Sequence, residues 1–82
     1  MQDESTPTVA DEERRTDQGI LALLLTPEEQ RPWSQHEVEL EIGDKLDTID
    51  SLARLRAGGL IHRCGEFVFA SRAAVTAERL LI

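Results

Sequence analysis

The stretch Asp44–Ser71, DKLDTIDSLARLRAGGLIHRCGEFVFAS, decides the fold. Leu46, Ile49, Leu52, Ala53 and Leu55 recur at three- and four-residue steps, the period of an amphipathic helix. Gly58 and Gly59 follow, and glycine supplies the left-handed cap that ends a helix with little steric cost. Leu60–Arg63 and Phe67–Ala70 are β-prone runs, and Cys64, Gly65 and Glu66 between them make a loop short enough for a hairpin. The stretch predicts a helix over 45–58 running into strands near 60–64 and 67–70.

Upstream, Ser34-Gln35-His36-Glu37 is a capping box, with a hydroxyl at the N-cap and a carboxylate three residues on. It predicts a helix over 35–41, with Val38, Leu40 and Ile42 as its apolar contacts. Gly43 closes that helix and Asp44 caps the next, with Asp47 reaching back. Two helices joined by a glycine-containing turn are the signature of a helix-turn-helix. Pro32 favours an extended entry to Trp33, so a short strand is expected near 31–33, placed to pair with the hairpin.

Further out, Thr8 and Asp11 form a second helix-start box, and Asp11, Glu12 and Glu13 suit the positive end of a helix dipole. The first helix is expected over 9–25. Its apolar payload, Ile20–Leu25, is the longest apolar run in the chain and far too short to span a bilayer. The ordinary reading of that run is the heart of a three-helix core; the sharper one is a dimer-forming surface. Pro27 ends the helix, because the residue before a proline is pushed away from helical angles. Thr26–Glu29 can start one isolated turn. After the hairpin, Ser71 caps a last helix expected over 72–81. It ends on Leu80, Leu81 and Ile82, apolar residues that call for a cover, from the first helix or from a second copy of the chain.

Eighty-two residues allow one domain with one small core. With 40% hydrophobic residues and three aromatic ones, that core must be mostly Leu, Ile, Val and Ala. Residues 1–8 read as a disordered tail and 9–82 as the domain. The net charge of −7 is unevenly spread. Residues 1–50 carry 14 acidic and 4 basic side chains, and residues 51–82 carry 2 and 5, so the hairpin end is the basic end. Cys64 is alone, which excludes an intramolecular disulfide. The acidic start, MQDESTPTVADEERR, lacks the basic-then-apolar order of a secretory signal, so a cytoplasmic protein is expected.

The run from Trp33 to Ser71 resembles bacterial winged-helix proteins of the transcription-regulator kind. The pieces that carry the resemblance are the S-x-x-E helix opening at Ser34–Glu37, the Ile42-Gly43 turn, and LARLRAGGLIHR at Leu52–Arg63 feeding the hairpin. It covers about residues 18–72. It implies a mainly α fold with a small antiparallel sheet (α+β), namely a winged helix-turn-helix with a three-helix core, a β-hairpin wing and a C-terminal helix. It also implies binding to double-stranded DNA. The chain departs from that pattern in its short wing and in having no stretch that reads as a separate effector domain.

No catalytic constellation is legible, and an enzyme or a cofactor is not expected. Gly58 and Gly59 end a helix rather than open one around a phosphate. His36 opens a polar helix and should face solvent. His62 and Cys64 lie two apart, hence on one strand face, but two ligands do not make a zinc site, which wants four. Cys64 reads as a small packing residue.

Stepping about 100° per residue along the 45–58 helix centres the apolar face on Ile49, Leu52 and Ala53. The outward face then carries Asp47, Asp50, Ser51 and Arg54, with Asp44 near its start, and Arg56 falls on the apolar side, snorkelling or paired with Glu37 or Glu41. The candidate DNA contacts are Lys45, Asp47, Ser51, Arg54, Arg63 and Arg72. Phosphates are neutralised by Lys and Arg, and three carboxylates against one guanidinium on the reading face oppose them. The sequence therefore carries two readings. One is a DNA-binding regulator. The other is a winged helix turned to protein–protein contact with a basic partner. A homodimer is expected through the first and last helices, with Ile20, Leu21, Leu24, Leu80, Leu81 and Ile82 as interface candidates.

Overall fold

The computed structural model describes residues 8–26 and 31–80. Along the described residues run α1 (Val9–Leu24), β1 (Trp33–Ser34), α2 (Gln35–Ile42), α3 (Lys45–Ala57), β2 (Ile61–Cys64), β3 (Phe67–Ala70) and α4 (Arg72–Leu80). The fold is mainly helical with a small three-stranded antiparallel sheet. Thr8, placed at the end of the expected tail, is the N-cap of α1; residues 1–7 lie outside the described residues, as does most of the turn expected over Thr26–Glu29.

The caps do what their spacing demands. The Thr8 hydroxyl accepts from the Asp11 amide and the Asp11 carboxylate accepts from the Thr8 amide. Ser34 and Glu37 repeat the exchange at the start of α2. Asp44 accepts from the Asp47 amide, but the expected return bond from the Asp47 side chain is not made. The end of α3 is a full Schellman arrangement: the Gly59 amide donates to Arg56 and the Leu60 amide donates to Leu55. Gly59 sits at φ +77°, the left-handed conformation this motif places there, so a side chain at Gly59 would be strained. That reversal aims the chain straight into β2.

The hairpin is tighter than the sequence suggests. Cys64 pairs with Phe67, so the turn is two residues, Gly65–Glu66, with Gly65 at φ +61° as a tight primed turn needs. β3 lies in the middle of the sheet, between β1 and β2, and Trp33 pairs with Val68. The expected strand near 31–33 is displaced to Trp33–Ser34, where Pro32 no longer has to supply a ladder amide.

The core joins Ile20 of α1, Trp33, Val38 of α2, Leu52 and Leu55 of α3, Ile61 and Val68. Leu21, Leu23, Leu24, Ile42 and Leu60 pack around it. α1 makes its most extensive helix contact with α3. Arg31 lies over the Trp33 ring at 4.3 Å and donates to Glu37 at 3.0 Å, closing the outside of the core. α4 is capped by the Ser71 hydroxyl, which accepts from the Ala74 amide. Its contact with α1 is at most slight. A cleft of about 580 Å³ separates Leu24 and Leu25 from Val75 and Arg79.

Two of the residues that announce α3 in the sequence face water: Leu46 is 73% exposed and Ile49 is 38% exposed. The buried side of α3 is Thr48, Ser51, Leu52 and Leu55. The helix is therefore rotated from the orientation that its apolar residues alone would choose. Truncating Leu52 to Ala should cost about 2–5 kcal/mol of unfolding free energy, as in other buried large-to-small changes. Leu46→Ala should stay within about 0.5 kcal/mol, as for a surface position. Urea unfolding of both variants checks the rotation; similar losses would contradict it.

Candidate functional site

The rotation of α3 has a visible cause. Asp17, in the middle of α1, meets two α3 side chains at once. The Ser51 hydroxyl donates to Asp17 Oδ1. Arg54 donates through Nη2 to Oδ1 at 2.8 Å and through Nε to Oδ2 at 3.2 Å, a two-pronged grip on one carboxylate. Glu13, one turn earlier on α1, lies 3.6 Å from the same guanidinium. Partial burial opposes ionisation of Asp17. The hydrogen bonds from Arg54 and Ser51, together with the Arg54 charge, outweigh it and hold the carboxyl below its usual range. Thr48, also fully buried, satisfies its hydroxyl on the Asp44 carbonyl at 2.7 Å. With their hydroxyls satisfied, Thr48 and Ser51 are buried in α3 without leaving orphaned polar groups.

This removes two residues from the expected contact face. Ser51, expected outward, is completely buried. Arg54, expected as the outward guanidinium, is held against α1. The face opposite the buried one is Leu46, Asp50, Ala53 and Ala57, all exposed, with Ile49 and Arg56 along one flank and Asp47 along the other. Arg56 is exposed and forms no ion pair with Glu37 or Glu41, so of its two expected placements the pairing one is not made; Glu37 is taken by Arg31. Lys45 and Asp47 are exposed at the start of α3, as expected of contact candidates.

Between α3 and the hairpin lies a groove of about 200 Å³. Ile49, Leu52, Ala53, Ile61 and Val68 give it an apolar lining, and Gln35, Arg56 and Arg63 add polar groups. Arg63 donates from Nε to the Gly65 carbonyl at 2.9 Å, which steadies it along its own hairpin. Arg72 opens α4 and is exposed outside this groove. The structure thus gathers Arg63 with α3, adds Arg56, Gln35 and Ile49, which were not among the contact candidates, and leaves Arg72 apart. Arg56 could have been found by taking Thr48, Ser51, Leu52 and Leu55 as the buried stripe, a spacing as regular as the apolar one.

The other candidates scatter. Ile20 is completely buried and cannot form an intermolecular contact. Leu21 and Leu24 are half-buried against the core, while Leu80 is 79% exposed at the far end of α4. Leu81 and Ile82 lie outside the described residues. Cys64 is exposed rather than packed, because its pairing with Phe67 puts it on the outer face of the sheet. On that face His62 meets the Phe69 ring at 5.7 Å. His36 is exposed, as expected. Among the described residues no three His, Cys, Asp or Glu side chains gather as metal ligands, and no helix is long and apolar enough to cross a membrane.

No family model, no curated protein and no solved structure matches the chain.

Because the Asp17 carboxyl is held below its ordinary value of 3.8, its contribution to stability is whole above that value. It fades as the pH falls below it through the lowered native value. Asp17→Asn should lower stability at neutral pH by about 1–3 kcal/mol, the loss expected when a charged partner leaves a shared hydrogen-bond site. The gap to wild type should close as the pH falls below 3.8. Denaturant unfolding across that range tests it; a gap independent of pH would contradict the assignment.

Proposed function

We propose that the chain is a winged-helix module that docks a protein partner through the outward face of α3. The order of helices and strands, the antiparallel hairpin after α3 and the strand order β1-β3-β2 support the winged-helix reading. The observation that carries the function is the composition of the α3 face. Leu46, Ile49 and Ala53 are exposed beside Asp44, Asp47 and Asp50, while Arg54, the guanidinium expected on the reading face, is spent on Asp17. A duplex presents a wall of phosphates and rewards Lys and Arg. This face presents carboxylates around apolar side chains. The partner it suits is a protein segment whose large apolar residues cover Leu46 and Ile49, and whose Lys or Arg residues meet Asp47 and Asp50. No catalytic role is assigned.

DNA binding is the second reading. Arg56 and Arg63 at the groove, with Lys45 exposed at the other end of α3, favour it. The two readings part on one titration. Wild type and the Asp47→Asn/Asp50→Asn variant should both bind duplex DNA only non-specifically, with a Kd no tighter than about 10⁻⁶ M at physiological salt. Binding well below that, lost in Arg56→Ala/Arg63→Ala, would overturn the protein-docking reading. Selection of displayed random peptides on the wild type supplies the positive arm. The enriched binders should carry Lys or Arg beside large apolar residues and should lose their binding to Leu46→Glu.

A further inference from the structure

We infer that the partner segment crosses α3 in one orientation, with Lys or Arg at one end, an aliphatic residue in the middle, and an Asp or Glu at the other end that is received by Arg56 and Arg63. The inference rests on the protein-docking reading and adds the acidic end of the segment and its polarity.

Two hollows of opposite charge flank the exposed strip of α3. On the α1 side, a hollow of about 250 Å³ is lined by Glu12, Glu13, Asp47 and Asp50. All four are exposed, and the one guanidinium in that lining, Arg54, is held by Asp17 and Glu13. On the hairpin side, the groove of about 200 Å³ carries Arg56 and Arg63 and no carboxylate. Leu52, Ile61 and Val68 form its floor and are buried. What the groove offers a partner is therefore its exposed rim, namely the side chains of Ile49, Ala53, Arg56 and Arg63. Neither guanidinium has an ion-pair partner among the described residues. Nε of Arg63 donates to the Gly65 carbonyl, which leaves its two terminal nitrogens to meet a carboxylate.

Charge fixes the orientation. A segment that is basic throughout suits the α1 side but sets like charge against Arg56 and Arg63, and such juxtaposition is what rejects a wrong partner or a reversed one. The helix dipole accounts for aspartates early in α3 and for Arg56 late in it, but not for Arg63, which comes from β2. Exposed Leu46, Ile49 and Ala53 lie between the two signs of charge and take the aliphatic residue. Asp50 and Arg56 are six positions apart on α3, about 9 Å along its axis at 1.5 Å per residue. The opposite charges of the segment therefore stand at least about that far apart.

The probes are the displayed peptides selected on the wild type, made as soluble peptides and titrated into the full chain. Their sequences should hold an Asp or Glu at a constant separation from the Lys or Arg, with an aliphatic residue between. Replacing that acid with Ala should weaken binding at least about 10-fold, as for a close charge pair across an interface. Arg56→Gln/Arg63→Gln should weaken the parent peptide by a similar factor and leave the Ala peptide unchanged. Arg56→Glu/Arg63→Glu should reverse the preference, so that Lys in place of the acid binds better than the acid. A parent peptide indifferent to the loss of its acid, or an acid preference that survives in Arg56→Glu/Arg63→Glu, would overturn the inference. If such peptides still lose their binding to Leu46→Glu, the docking reading stands. If no selected peptide depends on Leu46, both fall. A dimer of the chain that forms without peptide and is lost in Leu46→Glu would put a second copy on this face and sink the inference as well.

Discussion

One carboxylate sets the orientation of the third helix. Asp17 takes the Ser51 hydroxyl and the Arg54 guanidinium of α3 onto a single side chain of α1. Removing one partner would leave a buried hydroxyl or a half-desolvated charge, and such orphaned groups cost more than the bond between them gains. The contact therefore acts less as glue than as a register pin. It forbids rotations of α3 that hydrophobic burial alone would favour, including the one that would cover Leu46 and Ile49.

The surface follows from the pin. With Ser51 and Arg54 turned inward, the outward face keeps Leu46, Asp50 and Ala53, and its flank keeps Ile49 and Arg56. The acidic residues cluster at the N-terminal half of α3 and the arginines at its C-terminal half, an arrangement that also complements the helix dipole. What lifts the face above a merely dipole-matched helix is the apolar pair between the charges. The hairpin adds a wall beside it, because the Schellman turn at Gly59 sends the chain directly from α3 into β2. A helix face and an edge strand thus share one groove, with Ile49 and Ala53 on one side and Ile61 and Arg63 on the other.

Most of the fold is legible in the sequence, because its punctuation is local. The capping boxes at Thr8 and Ser34, the glycines after α2 and α3 and the β-prone runs each act within a few residues. They place every element among the described residues to within about two positions. The candidate site is much less legible. Assigning the faces of α3 by counting apolar side chains fails, since Thr48 and Ser51 bury better than Leu46 once their hydroxyls are satisfied. The decisive partner, Asp17, lies 34 residues from Ser51, and nothing local in the sequence ties them together. Ile20 fails for the complementary reason: an apolar run says that a helix end is buried, but not whether its own chain or another covers it.

The orientation of α3 turns on the coupling between Asp17 and Arg54, and a double-mutant cycle reads it directly. Unfolding free energies are measured for wild type, Asp17→Ala, Arg54→Ala and the double variant. A coupling of about 1–3 kcal/mol is expected for a contacting charged pair that shares hydrogen bonds. A coupling near zero would mean that α3 is oriented by something else and that its exposed face is not the one described.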